Sequence, residues 1–340
     1  MRAFQIEREG RTRLVTVAPP EPAAGDVLLH VRTVGFCGSD LNTYRGLNPL
    51  VSYPRIPGHE LAGTIERVGN AVPPDRLRPG MQVTVVPYTA CGRCTACRRG
   101  RANACRDNQT LGVQREGALT EWIAVPWEKV LDAEGLSPRE LALVEPLAVG
   151  FHAVDRGRIA HGDVVVVIGC GAVGLGAIAG AARRGARVVA VDVATDKLAL
   201  GRKAGASETI DSRSVGLADR LRSLTNGDGA DVVIEAVGLP ETFVAAVHEA
   251  AFAARVVFIG YAKAPVTFDT SQFVKKELDI LGSRNATAAD FVAVIEMLRD
   301  GAFPVADAVT RVVNLDDAGA ALHDWSRDPS AITRIHVDLP

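Results

Sequence analysis

The stretch GDVVVVIGCGAVGLGAIAGAARRGARVVAVDV, residues 162–193, contains the pattern that decides the fold. A run of valine and isoleucine is followed by three glycines, Gly169, Gly171 and Gly174, in G-x-G-x-x-G spacing. An alanine-rich segment comes next, and a second valine-rich run ends at Asp192. This order predicts a strand, a tight turn, a helix and a parallel strand, which is the unit that binds dinucleotides.

The glycines allow the backbone to approach a pyrophosphate, which would sit at the N-terminus of the following helix. An acidic residue about 20 positions further on binds the ribose hydroxyls in such units and repels a 2′-phosphate. Asp192 has that position, Lys197 is a second candidate for the ribose, and no basic residue follows Asp192 at once. The motif therefore favours NAD over NADP. A strand-to-helix turn without a ligand is the alternative, and Cys170 is interpreted as a small buried residue.

Beyond this motif, the chain shows two different sequence patterns. The runs ADVVIEAVG and ARVVFIGYA repeat the alternation of strand and helix, which predicts a parallel sheet covered by helices on both faces. Residues 1–150 instead contain short β-branched runs separated by Gly and Pro and are predicted to be mostly β. A late amphipathic helix is expected in AADFVAVIEMLRDG and a closing strand in AITRIHVDLP. We predict an α/β protein of two domains, as its 340 residues also suggest.

The composition argues against several classes of protein. The net charge is −2, and the chain contains no long basic block, so nucleic acid and anionic membranes are poor partners. No run approaches the roughly 18 apolar residues that span a bilayer, and the N-terminus lacks an apolar signal core. We therefore expect a cytoplasmic protein, in which clustered cysteines bind metal more often than they form disulfides.

Four of the six cysteines lie in CGRCTACRRGRANAC, residues 91–105. Cys91, Cys94, Cys97 and Cys105 can surround one tetrahedral zinc ion, and nearby arginines would offset the charge of four thiolates. A shell of four thiolates leaves no position open for a substrate, so we expect a structural ion. A redox-active thiol pair or an iron–sulfur cluster is the alternative.

A second set of metal ligands is spread along the chain. It comprises Cys37 in VGFCGSDLN, His59 in PGHE and Glu145 in LVEPLAVGFH. A thiolate, an imidazole and a carboxylate form a zinc site with one open position, as catalysis requires. Each residue also has a structural interpretation: Cys37 and His59 as core residues, and Glu145, which precedes Pro146, as an acid at a helix start.

Taken in order, GFCGSD, PGHE, the four-cysteine segment, VEPLAVGFHA and GCGAVG resemble the zinc-containing medium-chain dehydrogenases/reductases. The resemblance covers essentially the whole chain. It implies a GroES-like, mostly β catalytic domain at residues 1–148 and 286–340, with a structural zinc lobe at 88–108. Residues 149–285 would form a Rossmann domain with a doubly wound parallel sheet.

The resemblance also implies roles for individual residues. Cys37 and His59 would be ligands of a catalytic zinc ion. Glu145 would be the third ligand, where simple alcohol dehydrogenases have a cysteine, and Glu60 resembles an acid that can approach the metal. Ser39 would take the proton of the substrate hydroxyl. The residues expected at the cofactor are Gly169, Gly171, Val173, Gly174, Asp192, Lys197, Val237, Ile259 and Arg284.

The VEP form resembles the polyol and sugar dehydrogenase branch. Within that branch, the segments VVPYTACGRCTACRRGRANAC and KKELDILGSRNAT resemble sugar-acid dehydrogenases of the L-galactonate or L-gulonate 5-dehydrogenase type and, more distantly, sorbitol dehydrogenase. The implied reaction oxidises a secondary hydroxyl of an aldonate or polyol to a ketone with NAD, in a homodimer or homotetramer with two zinc ions per chain. Arg45 and Arg115 are candidates for binding a carboxylate. Relatives often have histidine where this chain has Asn42 and Gln114, so the proton route and the substrate stay open.

Two other functions stay open at this point. The first is a simple alcohol or threonine dehydrogenase of the same superfamily, which the VEP form argues against because an exchangeable carboxylate ligand suits polyhydroxylated substrates. The second is a non-catalytic, NAD-binding redox sensor. The presence of Cys37, His59 and Glu145 together argues against it, since a sensor has no need of an open zinc site.

Overall fold

A computed structural model describes residues 1–214, 216–329 and 332–340. These residues form two compact units. The first unit comprises Met1–Glu145, Thr287–Gly301 and Val305–Pro340, and the second comprises Pro146–Ala286 and Ala302–Pro304. Within the described residues, every helix is too short or too polar to cross a bilayer.

The strands, in chain order, are β1 (Arg2–Arg8), β2 (Arg11–Thr16), β3 (Asp26–Phe36), β4 (Glu60–Val68), β5 (Gln82–Val85), β6 (Tyr88–Thr89), β7 (Gln109–Thr110), β8 (Trp122–Pro126), β9 (Val130–Asp132), β10 (Val164–Ile168), β11 (Arg187–Asp192), β12 (Glu208–Asp211), β13 (Ala230–Glu235), β14 (Ala250–Phe258), β15 (Asp279–Gly282), β16 (Arg311–Asn314) and β17 (Ile335–Asp338). The α-helices are α1 (Gly38–Tyr44), α2 (Thr95–Arg98), α3 (Pro138–Arg156), α4 (Ala172–Arg183), α5 (Thr195–Lys203), α6 (Leu217–Leu224), α7 (Pro240–Glu249), α8 (Ser271–Lys275), α9 (Ala288–Arg299), α10 (Val305–Ala308) and α11 (Ala318–Arg327).

The main sheet of the first unit has the order β16-β17-β3-β4-β5-β9, and β8 also pairs with β3. Strand β3 is its longest member, and buried side chains alternate along it from Val27 to Val31. The last four residues of β3, Thr33 to Phe36, are all buried. The strand therefore enters the interior just before Cys37. The C-terminal strand β17 pairs antiparallel with this buried end, as the predicted closing strand requires.

The sheet of the second unit has the order β12-β11-β10-β13-β14-β15, and every neighbouring pair is parallel. This is the order of a doubly wound Rossmann sheet, so the predicted α/β class is confirmed. The strand order changes direction between β10 and β13, because these neighbours in the sheet are not consecutive in the chain. A ligand of such a sheet binds beyond the carboxyl ends of its strands at that point.

Helix α3 begins at Pro138, so Glu145 and Pro146 lie in its middle. The alternative that Glu145 is an acid at a helix start is therefore wrong. The proline ring is accommodated within the helix, where it removes one backbone hydrogen bond. Within the second unit, α3 and α4 approach closely at two glycines. A Cβ on Gly150 would lie 2.3 Å from the nitrogen of Ala177, and one on Gly176 would lie 2.5 Å from the oxygen of Leu147.

We expect Gly150→Ala to lower the free energy of unfolding by about 2 to 3 kcal/mol, because the added methyl group meets backbone rather than movable side chains. Gly25→Ala is the control, since a Cβ at Gly25 meets no atom within 4 Å. Denaturant unfolding measures both variants. Equal stability of the two variants would contradict the close helix approach.

Candidate metal and cofactor sites

Cys91, Cys94, Cys97 and Cys105 converge on one point in the first unit. Their four Sγ atoms lie within 4.8 Å of one another. The Sγ of Cys94 is 3.5 Å from that of Cys97 and 3.8 Å from that of Cys105, which is 3.5 Å from that of Cys91. Four thiolates around zinc, with bonds of about 2.3 Å, form a tetrahedron with edges of about 3.8 Å. The four sulfurs therefore fit a single structural zinc ion.

Backbone amides hold these sulfurs in place. The N–H of Cys91 donates to Sγ of Cys105 at 3.3 Å, and the N–H of Cys94 donates to Sγ of Cys91 at 3.4 Å. Backbone hydrogen bonds from Arg106 and Cys97 lower the pKa of Cys94 to about 6. Such bonds favour the thiolate, which is the form that binds zinc. All six cysteines of the chain are free of disulfides.

A second group of ligand atoms lies where β3 ends and β4 begins. Cys37 directly follows β3, and His59 directly precedes β4, whose first residue is Glu60. The two strands are antiparallel, and Gly35 lies opposite Glu60, so these ends meet. One ligand atom from each of Cys37, His59 and Glu60 lies within 4.8 Å of the other two. The Nδ1 of His59 is buried without a hydrogen-bond partner among the described residues.

A glycine turn places His59. Gly58 has a φ of 105°, in the left-handed region that favours glycine. A Cβ on Gly58 would lie 2.8 Å from Cγ1 of Val34 and 3.0 Å from the nitrogen of Leu119. The N–H of Ala118 donates to the oxygen of Gly58 at 2.9 Å. The segment that precedes His59 is therefore held from both sides by the main sheet and by the chain that leads into β8.

Glu60 is fully buried and paired with Arg334. Nη1 of Arg334 donates to both carboxylate oxygens of Glu60 at 2.8 Å and to the oxygen of Phe36 at 2.6 Å. Gly35 provides the space, because a Cβ there would lie 2.3 Å from Oε2 of Glu60. A buried carboxylate needs such a partner, since an unpaired buried charge is costly.

Glu145 is buried on α3, and its Oε1 accepts a hydrogen bond from the hydroxyl of Tyr88. It is not a member of the group of three ligand atoms formed by Cys37, His59 and Glu60. Its charge nevertheless raises the pKa of His59, so the carboxylate lies near that imidazole. The bond from Tyr88 uses one carboxylate oxygen and leaves the other for a further partner. That Glu145 completes the set of metal ligands stays a prediction.

The acidic groups around His59 can carry more negative charge than the single positive charge of its imidazole can balance. Burial opposes its charged form, but Cys37, Asp40 and Glu145 outweigh burial and raise the pKa of His59 well above its ordinary value. Burial raises the pKa of Asp40 to about 6 and that of Glu145 to about 7, and His59 partly offsets both shifts. A divalent cation relieves this competition, because it supplies the missing positive charge. The donor set therefore fits a zinc ion.

The predicted substrate residues have different surroundings. Ser39 lies in the first turn of α1, and its Oγ is buried without a hydrogen-bond partner among the described residues. Arg45 donates from Nε to Oγ of Ser326 at 3.0 Å and from Nη2 to the oxygen of Ser326, so α11 holds it. Arg115 is half-buried, and its Nε has no hydrogen-bond partner among the described residues.

The three glycines of the second unit form the turn between β10 and α4. Gly169 has a φ of 103°, and a Cβ on Gly174 would lie 1.8 Å from the oxygen of Gly169. These two positions need glycine for the turn itself. Gly171 directly precedes α4, and a Cβ there would meet no atom within 4 Å. The open space at Gly171 fits the approach of a pyrophosphate to the helix N-terminus.

Asp192 ends β11 beside this turn. Its Oδ2 accepts the N–H of Cys170 at 2.8 Å, and its Oδ1 accepts those of Val193 at 2.8 Å and Ala194 at 3.0 Å. These bonds fix the carboxylate where a Rossmann unit binds a ribose. Burial and Asp192 raise the pKa of Cys170, and Lys197 partly opposes the shift, so Lys197 lies near the turn. Cys170 is fully buried, as predicted.

Glu235 organises the loop after β13. Its Oε1 accepts the N–H groups of Val237 at 2.8 Å and Gly238 at 2.7 Å, while its backbone oxygen accepts the N–H of Ile259 at 2.9 Å. Val237 in turn contacts the glycine turn, since its Cγ2 lies 2.8 Å from where a Cβ on Gly169 would stand. The remaining predicted cofactor residues are Val173, in the first turn of α4, and Arg284, shortly after β15.

The two metal-ligand sets and the dinucleotide turn define an oxidoreductase. Residues 23–135 match the alcohol dehydrogenase GroES-like domain, and residues 172–300 match the zinc-binding dehydrogenase family. The chain belongs to this zinc-type alcohol dehydrogenase family, which acts on CH–OH groups, and within it to the polyol and sugar-acid branch. The family predicted from the sequence is confirmed.

Three similar proteins show how far the likeness extends. L-galactonate-5-dehydrogenase of Escherichia coli (strain K12) is 36% identical over 282 residues, which cover 83% of this chain and 82% of that protein. Sorbitol dehydrogenase of Bacillus subtilis (strain 168) is 32% identical over 95% of this chain and 92% of its own length. The crystal structure of the E. coli CFT073 alcohol dehydrogenase RspB with NADH superposes with a TM-score of 0.91 at 28% identity, covering 99% of both chains.

Four residues that shape these sites were not predicted from the sequence: Asp40, Tyr88, Arg334 and Glu235. Each left a signal. Asp40 stands three residues after Cys37, the spacing of an acid that caps a helix start. Glu235 is an acid at the end of the buried strand β13, Tyr88 follows shortly after the buried end of β5, and Arg334 is a charged residue directly before the buried strand β17. None of these signals identifies the partner, which comes from a distant part of the chain.

We expect Tyr88→Phe to weaken zinc binding at the site of Cys37 and His59 by about ten- to a hundredfold, because Glu145 loses the donor that orients it. Competition with a chromogenic chelator measures the affinity. Tyr44→Phe is the matched control, since its hydroxyl donates to the oxygen of Gly10 at 3.1 Å in the same unit. Equal zinc retention by the two variants would count against a role for Tyr88.

We expect Gly171→Ala to raise the Kd for NADH at least about tenfold without lowering the melting temperature. The methyl group enters space that is open in the protein but needed by the pyrophosphate. Fluorescence titration with NADH and thermal unfolding test the two parts of this expectation. Unchanged NADH affinity would show that the cofactor does not approach Gly171.

Proposed function

We propose that this chain is a zinc- and NAD-dependent dehydrogenase that oxidises a secondary hydroxyl of a sugar acid or polyol to a ketone. The carbinol carbon gives a hydride to the nicotinamide of NAD⁺, and the hydroxyl oxygen gives a proton to the protein and then to solvent. The products are a ketone, NADH and a proton. The observation that carries the proposal is the convergence of Cys37, His59 and Glu60, with Glu145 near His59, in a buried part of the first unit.

Cys37, His59 and Glu145 would hold the catalytic zinc, which supplies a Lewis acid that lowers the pKa of a hydroxyl. Glu60 stays with Arg334 in this arrangement, and it would approach the ion only if that pair opened. Arg334 binds both oxygens of Glu60 with a charged donor, whereas Tyr88 holds Glu145 by one bond from a neutral hydroxyl, so Glu60 is held more strongly. This difference favours Glu145 as the carboxylate that is recruited.

Ser39 would receive the proton of the substrate hydroxyl. Its buried Oγ has an unused acceptor and donor capacity among the described residues, which supports this role. Asn42, one turn further along α1, cannot titrate, so the proton would leave through water or hydroxyl groups of the cofactor. A hydroxyl that accepts one proton while it donates another fits a relay of this kind.

The second unit would bind the cofactor, with the pyrophosphate at Gly171 and the adenosine ribose at Asp192. A carboxylate in that position disfavours a 2′-phosphate, which supports NAD over NADP. Similar structures contain NADH in one case and NADP in another, so the preference for NAD rests on Asp192. Val173, Val237, Ile259 and Arg284 would line the remainder of the cofactor, and Lys197 would reach the ribose.

The domain boundaries follow from this assignment. We take residues 1–148 and 286–340 as the catalytic domain, with the structural zinc lobe at 88–108, and residues 149–285 as the NAD-binding domain. The similar proteins named above act on a sugar acid and on a polyol, which supports a polyhydroxylated substrate. A homo-oligomer in the cytoplasm is proposed on the same grounds of family resemblance.

We expect two zinc ions per chain and NADH formation with aldonates or polyols. Cys37→Ser would lose one zinc ion and at least about a hundredfold in kcat/KM, whereas Cys170→Ala would keep both ions. Elemental analysis and NADH absorbance, with NAD and NADP in parallel, measure these quantities. One zinc ion and no NADH from any substrate would favour a redox sensor, and activity confined to simple alcohols would exclude the polyhydroxylated class.

A further inference from the structure

Two cationic side chains of the first unit, Arg115 and Lys129, are half-buried and lie close enough for their charges to interact. Burial lowers the pKa of both, and Arg115 lowers that of Lys129 further. Glu128 opposes the shift of Lys129 only as a lesser influence. The Nε of Arg115 is buried without a hydrogen-bond partner among the described residues.

Neighbouring acids do not resolve this excess of positive charge. Glu116 is adjacent to Arg115 in the chain, but its Oε1 accepts from Nη1 of Arg55 at 2.8 Å and its Oε2 from the N–H of Ile56 at 2.6 Å. Other buried or half-buried arginines of the unit have acceptors: Arg2, Arg55, Arg311 and Arg334 have carboxylate partners, and Arg32 and Arg45 have neutral ones. Arg115 therefore differs from the other arginines of the unit. A bound anion would supply the acceptor that its buried Nε lacks among the described residues.

Backbone hydrogen bonds connect the segments that carry both cations to the segment that leads to Tyr88. Lys129 accepts the N–H of Val86 at 2.8 Å, two residues before Tyr88. Leu111, which forms a β-bridge with Arg115, donates its N–H to the oxygen of Pro87 at 3.1 Å. The backbone of Lys129 and the loop of Arg115 thus adjoin the segment that leads to Tyr88, the residue that holds Glu145.

The same loop also contacts the segment of His59. The N–H of Gly117 donates to the oxygen of Ile56 at 2.8 Å, and a Cβ on Gly112 would lie 2.5 Å from the nitrogen of Gly58. The loop that carries Arg115 is therefore seated on the backbone that positions one metal ligand and next to the residue that orients another.

We propose that Arg115 and Lys129 form a binding site for the anionic end, a carboxylate or a phosphate, of a polyhydroxylated substrate. The planar guanidinium suits two oxygens of one anion, and the ammonium adds a second charge-assisted bond. An anion in this place satisfies the two half-buried cations, which is the usual condition for burying charge. The proposal rests on the proposed function, and it adds that the substrate is charged.

The other candidate for this role, Arg45, is occupied by Ser326 on α11. Gln114 is also engaged, because its Oε1 accepts the N–H of Thr110 at 2.8 Å. This bond fixes the loop beside Arg115. Of these two neighbouring side chains, it is the guanidinium of Arg115 that has an unused donor among the described residues. Arg115 rather than Arg45 is therefore expected to distinguish charged from neutral substrates.

The test compares an aldonate, the corresponding neutral alditol and the alditol phosphate as substrates of the full-length holoenzyme. Arg115→Met and Lys129→Met should each raise KM for the anionic substrates by about ten- to a hundredfold and leave KM for the alditol within about twofold. Arg115→Lys should be intermediate, because it keeps the charge and loses the fork. KM for the anionic substrates should also rise with salt. The alditol phosphate and the aldonate together show which oxyanion the site prefers.

Two controls separate anion binding from a structural role. Arg67→Met removes an exposed arginine of the same unit, paired with Glu21, and should change none of these constants. The double variant of Arg115 and Lys129 should cost less than the sum of the single variants, because both contact one anion. A strictly additive loss, or equal losses on the anionic and neutral substrates, would overturn the proposal while leaving the dehydrogenase function intact.

If the wild-type enzyme oxidises none of the three substrates, the proposed function fails, and direct binding then tests the anion site. Calorimetric titration with the aldonate should show binding to the wild type that weakens at least about tenfold in Arg115→Met. Equal binding, or none in either protein, would overturn the anion site as well.

Discussion

The candidate metal site of the first unit depends on one constraint: the buried acidic groups around His59 have too little positive charge near them. Cys37, Asp40 and Glu145 all act on the same imidazole of His59, and buried charges are costly unless they are paired. The remaining acid of this cluster, Glu60, is neutralised by Arg334. The neutral hydroxyl of Tyr88 holds Glu145, although an arginine would form a stronger bond. A neutral donor fits the site better, because it fixes the carboxylate without supplying the positive charge that a metal ion brings.

The fold brings these groups together by ending and starting regular elements at one place. Strand β3 becomes fully buried just before Cys37, and its antiparallel partner β4 begins just after His59. Glycines make the approach possible, since a side chain at Gly35 would collide with Glu60 and one at Gly58 would collide with Val34 and Leu119. The sheet therefore buries the candidate ligands together with the ends of its strands. Because these groups are buried, their pKa values depend strongly on the neighbouring charges.

The features that could be predicted from the sequence are those that depend on residues close together in the chain. The glycine turn, the parallel strands and the cysteine lobe are local patterns, and their spacing alone constrains their geometry. The partners of the carboxylates are not local, because Tyr88 is 57 residues from Glu145 and Arg334 is 274 residues from Glu60. The position of Glu145 within its helix was not predicted for another reason. A proline after an acid is typical of a helix start, whereas here tertiary packing continues the helix through Pro146.

Opposite charges in one unit have a consequence for the substrate. The acidic groups around His59 repel an anion, whereas Arg115 and Lys129 attract one. The loop that carries Arg115 is bonded to the segment before His59 and to the segment before Tyr88, so its position and that of the ligands depend on the same backbone. A substrate with a hydroxyl at one end and an anion at the other satisfies both charge patterns at once. A neutral polyol satisfies only the first, so the two cations distinguish anionic from neutral polyhydroxylated substrates, which the candidate metal site alone treats alike.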